Sequence, residues 1–176
     1  AWGQADGSAN GDNFLTNVVA KPVLTDGNVP LTGVKKINAV KAGGMALMND
    51  GRVFNWGVVG MRGPNGEGGM EYNQVAKPVL TAPNTPLEGA TDIAPRLYWG
   101  YALTQDGRVV SWGWGVYGQN GNGSEDDATY AQPVLTSAST PLSGAKQIVS
   151  RDVYGGAAIM ADGSVYSWGF GIYGAN

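Results

Sequence analysis

Asp106-Gly107-Arg108-Val109-Val110-Ser111-Trp112-Gly113 occurs in three versions, the others being Asp50-Gly51-Arg52-Val53-Phe54-Asn55-Trp56-Gly57 and Asp162-Gly163-Ser164-Val165-Tyr166-Ser167-Trp168-Gly169, at intervals of 56 residues. Asp and Gly both tolerate the left-handed backbone of a tight hairpin, and the β-branched and aromatic residues that follow favour an extended chain. Each version therefore reads as a turn feeding a short strand that ends in tryptophan and glycine. A period of this length makes the repeat the unit of folding.

Other landmarks keep the same order. Pro22-Val23-Leu24-Thr25, Pro78-Val79-Leu80-Thr81 and Pro133-Val134-Leu135-Thr136 form one series. Pro30-Leu31, Pro86-Leu87 and Pro141-Leu142 form a second, Gly33, Gly89 and Gly144 a third, and Ile37, Ile93 and Ile148 a fourth. Cut at the Trp-Gly marks, the chain divides into repeats 1–57, 58–113 and 114–169, with 170–176 opening a further one.

Within a repeat the pattern is that of strands. Residues 18–25 are apolar and β-branched, and Pro22 marks them as an edge or irregular outer strand, because proline has no N–H for a ladder. Residues 34–40 predict a second short strand. Gly44-Met45-Ala46-Leu47-Met48 and its counterparts predict an inner strand whose small residues permit close backbone approach, joined by the Asp-Gly turn to the strand ending at Trp56. Four short antiparallel strands per repeat, linked by Gly-rich connections and without a helical stripe, predict an all-β chain of β-propeller blades. Three repeats of about 56 residues make an incomplete ring. Each blade buries its faces against neighbours, so an isolated blade should not fold.

Composition narrows the function. The 176 residues include 29 Gly, no Cys and no His. Without those two side chains there is no disulfide framework, no thiolate or imidazole metal site, and none of the usual hydrolytic bases or nucleophiles built on them. Eleven basic residues are scattered against 14 acidic ones, for a net charge of -3. Nucleic acid is therefore not an expected partner, since phosphate binding needs a concentrated basic face. No apolar run is long enough to span a membrane. The chain opens on Ala1-Trp2-Gly3 without a signal-peptide pattern, so either a signal has been removed or the chain is a piece of something larger. Low charge with plentiful Asn, Gly, Ser and Thr points to an extracellular or cell-surface setting.

The third repeat resembles the regulator of chromosome condensation repeat family through Trp112-Gly113, Tyr117-Gly118-Gln119, Gly121-Asn122-Gly123, Pro133-Val134, Ile148, Ala158-Ile159, Asp162-Gly163 and Trp168-Gly169. The likeness covers essentially the whole chain and is of bacterial type. It implies a ring of about seven blades, which three cannot close. Met45, Tyr101 and Ala157 stand where that family often has His, and Gly118-Gln119 reads Arg62-Gly63 one repeat earlier. No wedge insertion of the nucleotide-exchange members is visible, nor the aromatic-arginine motifs of the plant photoreceptor branch.

Several stretches invite a functional reading. Asp6-Gly7-Ser8-Ala9-Asn10-Gly11-Asp12 resembles the start of a calcium loop, but its twelfth position is Asn17 rather than Glu, which favours a polar connecting loop and no metal. Glu125-Asp126-Asp127 reads as a solvated acidic run. Glu67, Glu71, Asp92 and Asp106 fall on different parts of the repeat, against paired-carboxylate catalysis. The aromatics beyond the repeated tryptophans (Tyr98, Trp99, Trp114, Tyr117, Tyr130, Tyr154) suit either packing between blades or a contact surface. Trp99, Trp114, Tyr117 and Tyr154 are the candidate binding residues. The expectation is a protein without catalysis or cofactor that binds other protein chains. Those partners are further copies of itself, building a larger propeller or filament, or further repeats of a parent chain. The alternatives are an inhibitor or exchange-type propeller docking on one globular partner, and a lectin-like propeller.

Overall fold

The computed structural model describes residues 3–4, 11–12, 16–17, 19–59, 73–151 and 155–171. Two four-stranded antiparallel sheets and one of three strands form their framework. The first sheet runs Val34–Val40, Gly43–Met48, Val53–Gly57, Asn73–Pro78, and the second Ala90–Pro95, Trp99–Thr104, Val109–Gly113, Ala128–Pro133. The third comprises Ala145–Arg151, Gly155–Met160 and Val165–Gly169. These are three propeller blades in sequence, and they do not close a ring.

The Trp-Gly marks at 57 and 113 lie on the third strand of a sheet, and the fourth strand arrives from beyond the mark. A sheet therefore straddles two repeats of the sequence. That fourth strand is the outer one and ends at its proline, Pro78 or Pro133. It leads into a small hairpin, Leu80–Ala82 with Thr85–Pro86 or Leu135–Ser137 with Thr140–Pro141, and Leu24–Thr25 with Val29–Pro30 repeats the motif earlier in the chain.

The turn between the second and third strands departs from the expected form. Gly51, Gly107 and Gly163 have φ of 83°, 76° and 86°, while none of the preceding aspartates is left-handed. The Gly107 N–H donates to the Thr104 carbonyl at 2.9 Å, closing a four-residue turn whose last residue alone needs positive φ. Aspartate serves through its carboxylate instead, which accepts the N–H two residues on, from Arg52 at 3.0 Å and Ser164 at 2.9 Å. These bonds hold the carboxyls of Asp50, Asp106 and Asp162 below their ordinary range. The largest contribution comes from the Arg52 N–H for Asp50, the Thr104 hydroxyl for Asp106 and the Ser164 hydroxyl for Asp162.

The glycines of the inner strands have two kinds of close neighbour. Gly44, Gly100 and Gly156 each pair across the ladder with a tryptophan, Trp56, Trp112 or Trp168. A Cβ on Gly100 would lie 2.5 Å from Met45 of the first sheet and 2.8 Å from the Trp112 ring, so side chains approach there, whereas at Gly43 and Gly155 it is backbone, the Trp56 and Trp168 carbonyls, as expected.

The core is divided between sheets. Met45, Leu47 and Val53 of the first sheet meet Ala90, Ile93 and Ala102 of the second, with Val79 and Leu87 of the hairpin filling the gap. Tyr101, Leu103 and Val109 meet Ala145, Ile148 and Ala158 in the same way, with Val134 and Leu142 between. Each junction repeats one backbone bond: the Ala90 N–H donates to the Gly51 carbonyl, and the Ala145 N–H to the Gly107 carbonyl, both at 2.9 Å.

Candidate functional site

Position by position, the outer sheet faces are exposed where the inner ones are buried. Val53 and Val109 are fully buried, but Val165, their counterpart, is 68% exposed. Leu103 is 5% exposed and Ile159 43%. On the opposite side of the array Ile93 and Ile148 are buried while Ile37 is 58% exposed. Val34 is exposed where Ala90 and Ala145 are buried. The chain thus presents one bare trailing face, on the third sheet, and one bare leading face, on the first. At roughly 25 cal/mol per Å² of apolar surface, covering several such side chains is worth several kcal/mol.

A second surface runs along one rim. Trp114 follows the second sheet's Trp-Gly mark, and its ring stands edge-on to Tyr98 at 5.8 Å and to Tyr117 at 5.4 Å. Tyr117 in turn lies 5.4 Å from Phe170. Tyr98 and Trp114 are half-buried, whereas Tyr117 and Phe170 are exposed. The geometry therefore brings the candidates Trp114 and Tyr117 together. Phe170 was not singled out from the sequence, although it follows Trp168-Gly169 as Trp114 follows Trp112-Gly113. Trp99 belongs elsewhere: it is 3% exposed, lies in the core between the second and third sheets, and has no face to offer a partner. Tyr154 lies outside the described residues.

Beneath this rim sits Gln119, part of the Gly-Gln landmark. Its carbonyl accepts the Tyr101 hydroxyl at 2.6 Å and the Trp168 indole N–H at 3.1 Å, so one backbone oxygen ties the second sheet to the third. Burial pushes the Tyr101 phenol well above its ordinary range, and the residue is neutral at any physiological pH. Ser111 donates to the Asn120 carbonyl at 2.6 Å. These contacts are structural anchors rather than reactive groups.

The acidic candidates are engaged in the fold. Asp127 accepts the Gly115 N–H at 3.0 Å and Asp126 the Ser124 hydroxyl at 2.7 Å, so two of the three acids shape their own loop. Asp92 pairs with Lys36 across the first junction, and Asp106 with Arg108 inside its hairpin. Glu67 and Glu71 lie outside the described residues, as does the calcium-like stretch up to Asn10. Asp12 is buried and bridges to Val75. Among the described residues, no three acidic side chains gather as a metal site would require. None of their helices is long and apolar enough to cross a membrane.

No protein-family model matches the chain. Over 149 residues, 80% of its length, it is 35% identical to the E3 ubiquitin-protein ligase HERC2 of Homo sapiens, of which this is 3%. Over 93 residues it is 38% identical to the RCC1 domain-containing protein RUG3, mitochondrial, of Arabidopsis thaliana, matching 50% of this chain and 20% of that one. Among solved structures, human WBSCR16 superposes with a TM-score of 0.67 at 17% identity, over 96% of this chain and 42% of that one. Prp20p from Saccharomyces cerevisiae, described with its binding to Gsp1p and histones, gives 0.60 at 20% identity over 96% and 40%. The chain therefore spans less than half the length of each of these relatives, and the two structures speak for the fold.

Proposed function

Because the chain is built of repeats of the RCC1 type, we propose that it is a non-catalytic protein-binding module whose partners are other protein chains, first among them further copies of itself. One observation carries this reading. The residues that are bare on the outer faces are the counterparts of those that mate inside the molecule, so each face already has the shape and polarity of a blade junction. A contiguous apolar patch of this kind marks an interaction surface. The product is a larger propeller or a filament. An extracellular or cell-surface setting belongs to the same proposal, supported by the low charge and polar composition.

The test is native mass across a dilution series. The account expects species heavier than the 18.2 kDa chain at high concentration, falling to that mass on dilution. A monodisperse monomer throughout would overturn it.

A second reading is favoured by the aromatic row Tyr98, Trp114, Tyr117 and Phe170, since such side chains give wide contact area at low entropic cost. On this reading a globular protein docks on the rim, as a propeller of exchange-factor or inhibitor type would have it. The two separate cleanly. Tyr117→Ala leaves self-association unchanged and weakens rim docking.

A further inference from the structure

Among the described residues the third sheet has three strands, where the first and second have four. In the first sheet the fourth strand pairs with the third through Phe54↔Pro78, Asn55↔Lys77 and Gly57↔Asn73. In the second the same ladder reads Val110↔Pro133, Ser111↔Gln132 and Gly113↔Ala128. Among the described residues, Val165–Gly169 has a partner on one side only, Gly155–Met160.

A space of the right kind lies beside it. The fourth strand of the second sheet, Ala128–Pro133, packs along the hairpin strand Leu80–Ala82, and Asn73–Pro78 packs along Leu24–Thr25. The equivalent hairpin strand beside the third sheet is Leu135–Ser137. Between it and Trp168 and Gly169 runs an open groove of about 620 Å³, bordered also by Gly121, Gly123 and Glu125. Each fourth strand thus lies between a third strand and a hairpin, and the same two walls border this groove.

The matching strand exists at the other end of the sequence. Pro22 corresponds to Pro78 and Pro133, Lys21 to Lys77 and Gln132, Ala20 to Ala76 and Ala131, and Asn17 to Asn73 and Ala128. Asn17 pairs with Gly3 just as Asn73 pairs with Gly57, but this ladder is only two residues long, Gly3–Gln4 with Thr16–Asn17. Val19 is 62% exposed where Val75 is buried. Among the described residues, a fourth-strand segment with a two-residue ladder and a third sheet of three strands thus occur together.

Resting on the self-association reading above, we infer that Asn17 and residues 19–22 of one copy complete the third sheet of another. They enter the groove along Val165–Gly169 in the register Tyr166↔Pro22, Ser167↔Lys21 and Gly169↔Asn17. The union is head to tail: the bare trailing face of one copy meets the bare leading face of the next, Val165 and Ile159 against Ile37 and Val34. It also supplies the recurring junction bond, with the Val34 N–H donating to the Gly163 carbonyl as Ala90 does to Gly51. Nothing lies within 4 Å of the Cβ position at Gly163, whereas the backbone of Gly144 lies 3.0 Å from that of Gly107, so the docking place is open. Among the described strands, the pairing given up is the two-residue one with Gly3–Gln4. A heterologous contact of this type closes into a ring or extends as a filament.

Two experiments test it together. The chain has no cysteine, so Ser167→Cys and Lys21→Cys can be made on separate chains, mixed and gently oxidised. A covalent pair containing one of each is expected, and none when Thr81→Cys, an exposed position on the hairpin one repeat earlier, replaces Ser167→Cys. In parallel, Val165→Glu and Ile37→Glu, both at exposed positions, each weaken association about tenfold or more when alone. Mixed, they form pairs through the one junction that both mutants leave intact. Association without the specific crosslink and without rescue by mixing would overturn strand donation and leave self-association standing. A monomer at every concentration would overturn both.

Discussion

The second and third sheets are near copies in sequence, yet one is enclosed and the other half bare. Val109 and Val165 occupy the same place after the same Asp-Gly turn, and the first is buried while the second is the most exposed large apolar side chain among the described residues. Their local structure is the same: both strands pair with a glycine-bearing inner strand in the same register, and both carry a tryptophan over that glycine. What separates them is the presence of a next sheet. In this architecture strand and turn are properties of the repeat, whereas burial is a property of the junction.

That separation can be attacked by matched substitutions, measured by urea unfolding below the concentration at which copies associate. The largest difference is expected at the apolar positions. Leu103→Ala should cost about 2–5 kcal/mol, because it leaves a cavity inside a junction, and Ile159→Ala under about 1 kcal/mol. Equal costs would mean that the third sheet is protected in some other way. A smaller difference is expected at the turns. Gly107→Ala and Gly163→Ala both force a side chain into left-handed backbone at about 1–2 kcal/mol, but only Gly107 has neighbouring backbone, that of Gly144, 3.0 Å from the added carbon. Gly107→Ala should therefore be the worse by about 1 kcal/mol or more.

The smallest effect should have the same sign in both sheets. Asp106 and Asp162 are both held below the ordinary value of 3.8 by hydrogen bonds made within their own hairpins. A carboxylate depressed in the folded state contributes stability that is fully present above 3.8 and lost as pH falls towards the lowered folded value. Asp106→Asn and Asp162→Asn should each flatten the acid limb of a stability-versus-pH curve slightly. These carboxylates are exposed, so the effect is modest. An acid limb left unchanged by both substitutions would show that the turn bonds do not stabilise the fold.

What the sequence disclosed follows the same division. The repeats, the inner strand and the Asp-Gly hairpin were legible, because each is written in residues close together along the chain. The outer strand was read straight through its proline, over residues 18–25, whereas the chain breaks there: one strand ends at Pro78 or Pro133 and another starts at Leu80 or Leu135, and after Pro22 the strand is Leu24–Thr25. Which strands share a sheet was not legible. The fourth strand comes from past the Trp-Gly mark, and a periodic pattern carries no indication of where a sheet begins. The small hairpin after each proline was also missed; Asn28 and Asn84, both left-handed at its turn, were the signal. Of the aromatic candidates, Trp114 and Tyr117 share a rim with Tyr98 and Phe170, but Trp99 points inward. Alternation along a short strand cannot say which face is covered when both faces of a blade meet other blades.

The most direct measurement is amide hydrogen exchange followed at two protein concentrations. If a sheet's protection is conferred by its neighbour, the amides of Val109–Gly113 should be strongly protected at both. Those of Val165–Gly169 should exchange quickly when dilute and gain protection as copies meet. Equal protection of the two strands at low concentration, unaffected by adding protein, would contradict the account.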